Sequence, residues 1–311
     1  MFRSSNGFRI LLAMGLAIAA ICVSSGPVYA AGVQVSLASS FTGDDVLRYS
    51  GGAFTTPNGT WDNPTGTNNN NWMVTQSAAN QLATSQGLLS PAPVGINDNG
   101  LYPASGARLY DVQLGFTNTT PTGTNVSIRS NAAGNFSFNV PSNNYSQFAI
   151  FGSSGSGSST LAITLNYSTG SPTVLSGVTL PDWYSGNPGT TAAGAAGTYF
   201  ALTPAMSRQG GTGNGFPSSN YQVPNVSGNG AYIYGINLAP DSTRLLTSVQ
   251  VAYTPSTVGY TVVNLLAAAG AVATSSSTPT VPTLSTWGLV LLAAGLSVVC
   301  WLLLRPQRKA F

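Results

Sequence analysis

Carboxylates are scarce in this chain, which narrows the chemistry they could do. Seven aspartates, at positions 44, 45, 62, 98, 111, 182 and 241, are the whole acidic complement of the 311 residues, and there is no glutamate and no histidine. Without histidine there is no Ser-His-Asp or Cys-His relay, and the commonest transition-metal ligand is missing. Aspartate chemistry remains open. A glycosidase needs two opposed carboxylates, and Asp45 and Asp182 are one pair that folding could bring together, although no spacing singles out a pair. Calcium takes oxygen ligands, and Asp44-Asp45 and Asn97-Asp98-Asn99-Gly100 offer them. Neither has the spacing of a calcium loop, and Asn-Asp-Asn-Gly is turn chemistry. The chain is therefore expected to be non-catalytic, with no metal and no cofactor. A surface glycan-active hydrolase using aspartate carboxylates is the alternative.

Aromatic side chains offer a second kind of chemistry, stacking on sugar rings. Trp61 is the leading candidate: it stands between Gly59-Thr60 and Asp62-Asn63-Pro64, a setting that predicts an exposed turn. An indole there could pack on a sugar while Asp62 or Asn63 bonds a hydroxyl. Trp72, Trp183 and Tyr184 rank behind it. The opposite reading is that these large rings fill the core, as aromatics usually do. Between Ala31 and Thr286 five arginines face seven aspartates, a net charge of −2. No basic patch exists for a nucleic acid. Seven Asn-x-Ser/Thr triplets occur, at Asn58, Asn118, Asn125, Asn135, Asn144, Asn166 and Asn225, a number that the asparagine-rich composition produces by itself.

The elements that must position these groups read as strands. Tyr110, Val112, Leu114 and Phe116 alternate with Asp111, Gln113 and Gly115. Phe136, Phe138 and Val140 do the same, as do Leu161, Ile163, Leu165 and Tyr167, and Val249, Val251 and Tyr253. Period-two alternation between Gly, Asn, Pro and Ser clusters predicts half-buried strands. Further strands are expected over Val33–Ser39, Tyr145–Phe151, Val174–Leu180, Ala231–Leu238 and Tyr260–Leu266, with a helical turn around Ser77–Ser85. Long loops are expected over 57–71 and 186–219. Nine or more strands suit an all-β fold, a single antiparallel β-sandwich over residues 31–272 with one core.

The two ends carry addresses. Arg3 and Arg9 precede an apolar run from Ile10 to Val23, and Val28-Tyr29-Ala30 fits the small-residue pattern of signal peptidase cleavage. Residues 1–30 are thus expected to be a signal peptide cut between Ala30 and Ala31. A Ser/Thr/Pro linker follows the sandwich over 273–280. Trp287 to Leu304 is 18 residues without a charge. As a helix it would span about 27 Å, close to the ~30 Å hydrocarbon thickness of a bilayer. Arg305, Arg308 and Lys309 form a basic stop that favours the cytoplasmic side. Cys22 and Cys300 fall inside these two apolar runs, so residues 31–280 contain no cysteine and no disulfide.

Val281, Pro282, Thr283, Leu284, Ser285, Trp287 and Gly288, with the apolar run and basic end, resemble the IPTL-CTERM sorting signals of Gram-negative bacteria, relatives of the PEP-CTERM tails. Thr286 stands where Glu is frequent. The resemblance covers 281–311 and implies that a membrane-embedded sorting protease recognises the motif after the chain has been held in the lipid bilayer of the inner membrane. The product would reside in the cell envelope or on the surface. From Asn135 onward, the order of segments Leu165-Asn166-Tyr167-Ser168-Thr169-Gly170, Leu180-Pro181-Asp182-Trp183, Tyr232-Ile233-Tyr234 and Val262–Leu266 resembles galactose-binding-like jelly rolls of secreted, sugar-handling proteins. Thr169 stands where Asp is usual. This second resemblance implies glycans as possible partners. The expectation is an exported, tethered protein whose sandwich is structural, adhesive or glycan-binding.

Overall fold

A computed structural model describes residues 32–62, 70–90, 92–186, 194–211, 220–222 and 230–273. They belong to one compact unit that ends at Ala273. The signal peptide, the Ala30/Ala31 junction, residues 274–280 of the linker, the sorting motif, the span 287–304 and the basic stop lie outside the described residues. Among the described residues, no helix is long and apolar enough to cross a membrane.

The chain is built from short and long strands. In order they are β1 (Gly32–Val35), β2 (Val46–Leu47), β3 (Tyr49–Ser50), β4 (Ala53–Phe54) and β5 (Asn70–Val74). Helix α1 (Gln76–Gln86) is followed by β6 (Leu101–Tyr102), β7 (Val112–Gln113), β8 (Ile128–Ser130), β9 (Gly134–Asn143) and β10 (Tyr145–Gly155). Then come β11 (Ser159–Tyr167), β12 (Thr173–Leu180), β13 (Tyr199–Ala201) and β14 (Arg208–Gly211). The last are β15 (Asn220–Gln222), β16 (Tyr234–Asn237), β17 (Leu246–Pro255) and β18 (Val262–Val272).

Two antiparallel sheets dominate. One has six strands in the order β1-β18-β10-β16-β13, with β8 also on β18; the other has four, β12-β11-β17-β9. They face each other across a core that includes Phe148, Ile150, Val263 and Leu265 from the first, and Leu161, Ile163, Val249 and Val251 from the second. The alternation expected for β9, β11 and β17 is what aims these side chains inward.

The expectation of one core is too simple. The outer face of the six-stranded sheet is covered by a second core, in which Ala149, Phe151, Ala267, Ala269 and Ala271 meet Trp61, Tyr110, Val112, Leu114, Phe116 and Trp183. A bulge in β18 serves this layer. Phe151 pairs with Ala267 but Gly152 with Leu265, so Leu266 is an extra residue, and Leu266 and Ala267 both join the second core. Residues 110–116 realise their predicted alternation in burial, Tyr110, Val112, Leu114 and Phe116 being buried, although only Val112–Gln113 pairs as a strand.

A small mixed sheet, β15-β14-β5-β2, adjoins helix α1. The helix buries Ala78, Ala79, Leu82 and Ala83 against Leu47, Trp72 and Val74. Asp98 caps it from a distance: its carboxylate accepts the Ser77 N–H at 2.9 Å and the Ser77 hydroxyl. Gly87 closes the helix in the left-handed conformation that glycine adopts without penalty. The expected loop 57–71 therefore gives way to β5 at its end, and the excursion 186–219 contains β13 and β14.

Candidate functional site

Strand pairing defines two ends of the body. Gly32 pairs with Ala271, and the Ala273 N–H bonds the Asn144 carbonyl at 2.6 Å, so the first and last described residues leave together. β18 has 11 residues. At about 3.3 Å per residue, its opposite end lies about 36 Å away. There the turns 156–158, 181–186 and 256–261 meet residues 60–62.

Two Trp/Asp dipeptides converge at that opposite end. Trp61 is fully buried, which corrects the expectation of an exposed turn. Its indole N–H donates to Ser153 Oγ at 3.0 Å, its carbonyl accepts from Asn264 Nδ2 at 2.8 Å, and its backbone N–H reaches the Asn71 carbonyl at 2.7 Å. Gly155 makes the approach possible, because a Cβ there would stand 2.1 Å from the Trp61 carbonyl oxygen. Trp183 comes from the other side, held by its N–H to Ser154 O at 2.7 Å. The two indoles stack with centroids 6.0 Å apart at 28°. Trp72 is buried too, its indole N–H on the Gly59 carbonyl at 2.7 Å. All three indoles thus fix loops to the sheet and present no face to a sugar. The physical reason is area: a turn that carries an indole is stabilised by burying it when a sheet face lies within reach.

Asp62 is buried beside Trp61, and Asn71 Nδ2 spans both its oxygens at 3.0 Å. Burial pushes its pKa up to about 6, against the pull of Asn71 and Arg208. Asn63 lies outside the described residues. Asp182 organises the neighbouring turns: its carboxylate accepts the N–H of Tyr184 at 2.8 Å and that of Gly157. Arg208, on β14, stacks its guanidinium 4.3 Å from the centroid of the exposed Tyr184 ring and bonds Gln222 Oε1 at 2.7 Å. Arg208 and Gly155 had no signal in the sequence, since each acts through partners far away along the chain, whereas Asn71 ends the asparagine run 68–71 that follows Trp61, nine positions from Asp62.

A further buried carboxylate lies near the same loop. Asp45 is fully buried; Ser127 Oγ donates to one oxygen at 3.0 Å, and the other has no partner. Burial pushes its pKa to about 7, opposed by the charge of Arg129, whose Nε donates to the Thr60 carbonyl at 2.8 Å. Asp44 forms a buried bidentate pair with Arg48, both contacts 2.8 Å. Asp111 accepts the Ala104 N–H at 2.7 Å, and Asp241 caps a turn through Thr243. Asn97-Asp98-Asn99-Gly100 is a turn, with Gly100 at φ +66° and its N–H on the Asn97 carbonyl at 2.8 Å. Each aspartate thus has a local structural partner.

No protein-family model, curated protein or solved structure matches this chain. Its functional reading rests on its own residues.

Proposed function

We propose that this is an exported bacterial envelope protein, a non-catalytic β-sandwich of jelly-roll type displayed on a C-terminal membrane tether. The observation that carries the reading is the pairing of β1 with β18. The strand that follows the expected cleavage junction lies beside the strand that precedes the expected linker. The described body thus begins and ends at one end, Gly32 beside Ala271 and Ala273 beside Asn144, and Tyr184, Val258 and Tyr260 are exposed at the opposite end. Successive long strands cross between the two sheets, β9 to β10, β10 to β11, β16 to β17 and β17 to β18, which supports the jelly-roll reading.

On this reading signal peptidase releases the chain after Ala30. Residues 287–304 hold it in the inner membrane against Arg305, Arg308 and Lys309. A membrane-embedded protease then recognises Val281, Pro282, Thr283, Leu284, Ser285, Trp287 and Gly288. Intact mass of protein extracted from the envelope tests both cuts. The expected chain begins at Ala31 and ends near residue 288; a chain still ending at Phe311 would overturn processing while leaving the anchor.

The hydrolase alternative offers Asp45 and Asp182 as its pair, but Asp45 is fully buried with Ser127 on one oxygen. Asp62, whose pKa is raised mainly by burial and in smaller part by the charge of Asp182, is then the other carboxylate to weigh. Asp62 is buried and bound by Asn71, and both oxygens of Asp182 accept backbone N–H groups. Neither carboxylate is left to protonate or attack a glycosidic bond, and this favours the non-catalytic reading.

A further inference from the structure

The two sheets leave a groove along one side of the sandwich. Its walls are β12, the edge strand of the four-stranded sheet, and residues 196–199, which lead into β13 at the edge of the six-stranded sheet; its volume is about 880 Å³. That lies within the roughly 300–1,000 Å³ of ligand clefts. Gly197 keeps the floor low: it sits at φ +78°, and a Cβ would stand 3.3 Å from Val178.

The lining has a distinct chemistry. None of its ten residues is charged. Tyr199 is 38% exposed, and its ring is set edge-on against Tyr234, 5.7 Å away at 78°. The wall beside it is rigid, because Thr198 Oγ1 accepts from Asn237 Nδ2 at 3.1 Å and donates to the Ala195 carbonyl at 2.6 Å. Opposite lies the backbone edge of β12, free among the described residues, while the exposed Ser176 and Thr179 share the outer face with Ala162 and Thr160, which they oppose on β11. The uncharged surface continues outward, since β9, β11, β12 and β17 contain no charged residue. Ser137, Asn139, Thr160, Gln250 and Thr254 are exposed on the outer face.

The groove's backbone argues against a peptide as occupant. Ile163 pairs with Leu175 but Leu161 with Val178, so Ser176 and Gly177 together oppose Ala162. This bulge, with Gly177 at φ +68°, interrupts the edge on which an added strand would have to keep register. A chain of neutral sugars has no such requirement. Its hydroxyls can meet irregular backbone groups, and its apolar ring faces can pack on a held tyrosine.

We propose that this groove binds a neutral, unbranched polysaccharide segment, with Tyr199 as the ring platform and the free backbone edge of β12 as the partner of its hydroxyls. The inference rests on the reading of the protein as a displayed, non-catalytic sandwich. It is tested on the full-length chain in lauryldimethylamine oxide, a detergent without a sugar headgroup, by calorimetric titration with cellohexaose, laminarihexaose, maltohexaose and mannohexaose. At least one should bind, and Tyr199→Ala and Ala196→Asp should each weaken that binding tenfold or more. Ala196 is exposed and lines the groove, so Ala196→Asp should melt like the parent chain and carries the test even if Tyr199→Ala destabilises the fold. No binding of any of the four, or binding unchanged by Ala196→Asp, overturns the proposal, as does stronger binding of an acidic polygalacturonate. Export and tail processing, read by intact mass, stand or fall separately: a processed chain that ignores all four sugars sinks the groove alone.

Discussion

Strand β18 is buried on both faces and strand β11 on one, and their sequences differ accordingly: VVNLLAAAGAV against STLAITLNY. In β11 every second residue reaches the shared core, while Thr160 and Ala162 are exposed to solvent. In β18 both sets of side chains are enclosed, so alternation disappears and size takes its place. Valine and leucine fill the space toward the four-stranded sheet, and small residues accept aromatics on the other side. Gly270, on the side that faces the four-stranded sheet, shows that the packing is tight there too, because a Cβ would stand 2.6 Å from the Phe148 ring. The two sheets thus tolerate change very differently, the first being closed to any added or lost volume and the second open on one face.

The largest expected break in this contrast is at Trp61. Trp61→Ala should cost about 3–5 kcal/mol, as truncating a buried aromatic usually does, because it empties the space beside Trp183 and orphans Ser153. A thermal melt followed by circular dichroism reads it. A loss under about 1 kcal/mol would mean that the second core is not closed over the six-stranded sheet.

Next in size is a pH dependence carried by Asp45. Its pKa in the fold is about 7 against an ordinary 3.8, so the folded state holds a proton that the unfolded chain has already lost. Stability is then fully present below about pH 4 and declines as pH rises through 7. At ~1.4 kcal/mol per unit, the effect is on the order of a few kcal/mol. Asp62, raised to about 6, adds in the same direction. Melting temperature should therefore fall between pH 5 and pH 8, and Asp45→Asn should remove the larger part of that slope. An unchanged slope in the variant would show that the charge of Asp45 is not enclosed.

The smallest pair sharpens the comparison directly. Ala269→Val, in the enclosed sheet, should cost about 1–3 kcal/mol through overpacking. Gln250→Lys, on the exposed face of β17, should stay within about 0.5 kcal/mol of the parent. Equal losses at the two sites would erase the distinction between the sheets.

Much of the four-stranded sheet is legible in the amino-acid sequence, because one wet face and one dry face write a period of two into the chain. The strands of the six-stranded sheet are legible only in part. Tyr260–Leu266 was expected where β18 runs from Val262 to Val272, since an Ala/Gly run has no period and little strand propensity of its own. Short strands such as β13 and β14 lie among Gly, Ala, Ser and Pro, and they form because neighbours bury Phe200 and Met206. The site shows the same limit. Trp61, Asp62 and the asparagine run ending at Asn71 are marked by their residue types, but Arg208 becomes relevant only when folding brings it alongside.

The sequence by itself determined the absence of histidine and glutamate, the all-β character and the absence of disulfides from residues 31–280, because these follow from composition and local period. Only the tertiary structure decided that Trp61 is enclosed, that Asp45 and Asp62 are held near neutral pKa, and that the groove beside Tyr199 exists. Burial depends on which distant segment covers a residue, and contacts such as Trp61 with Asn264 join positions that no local pattern connects.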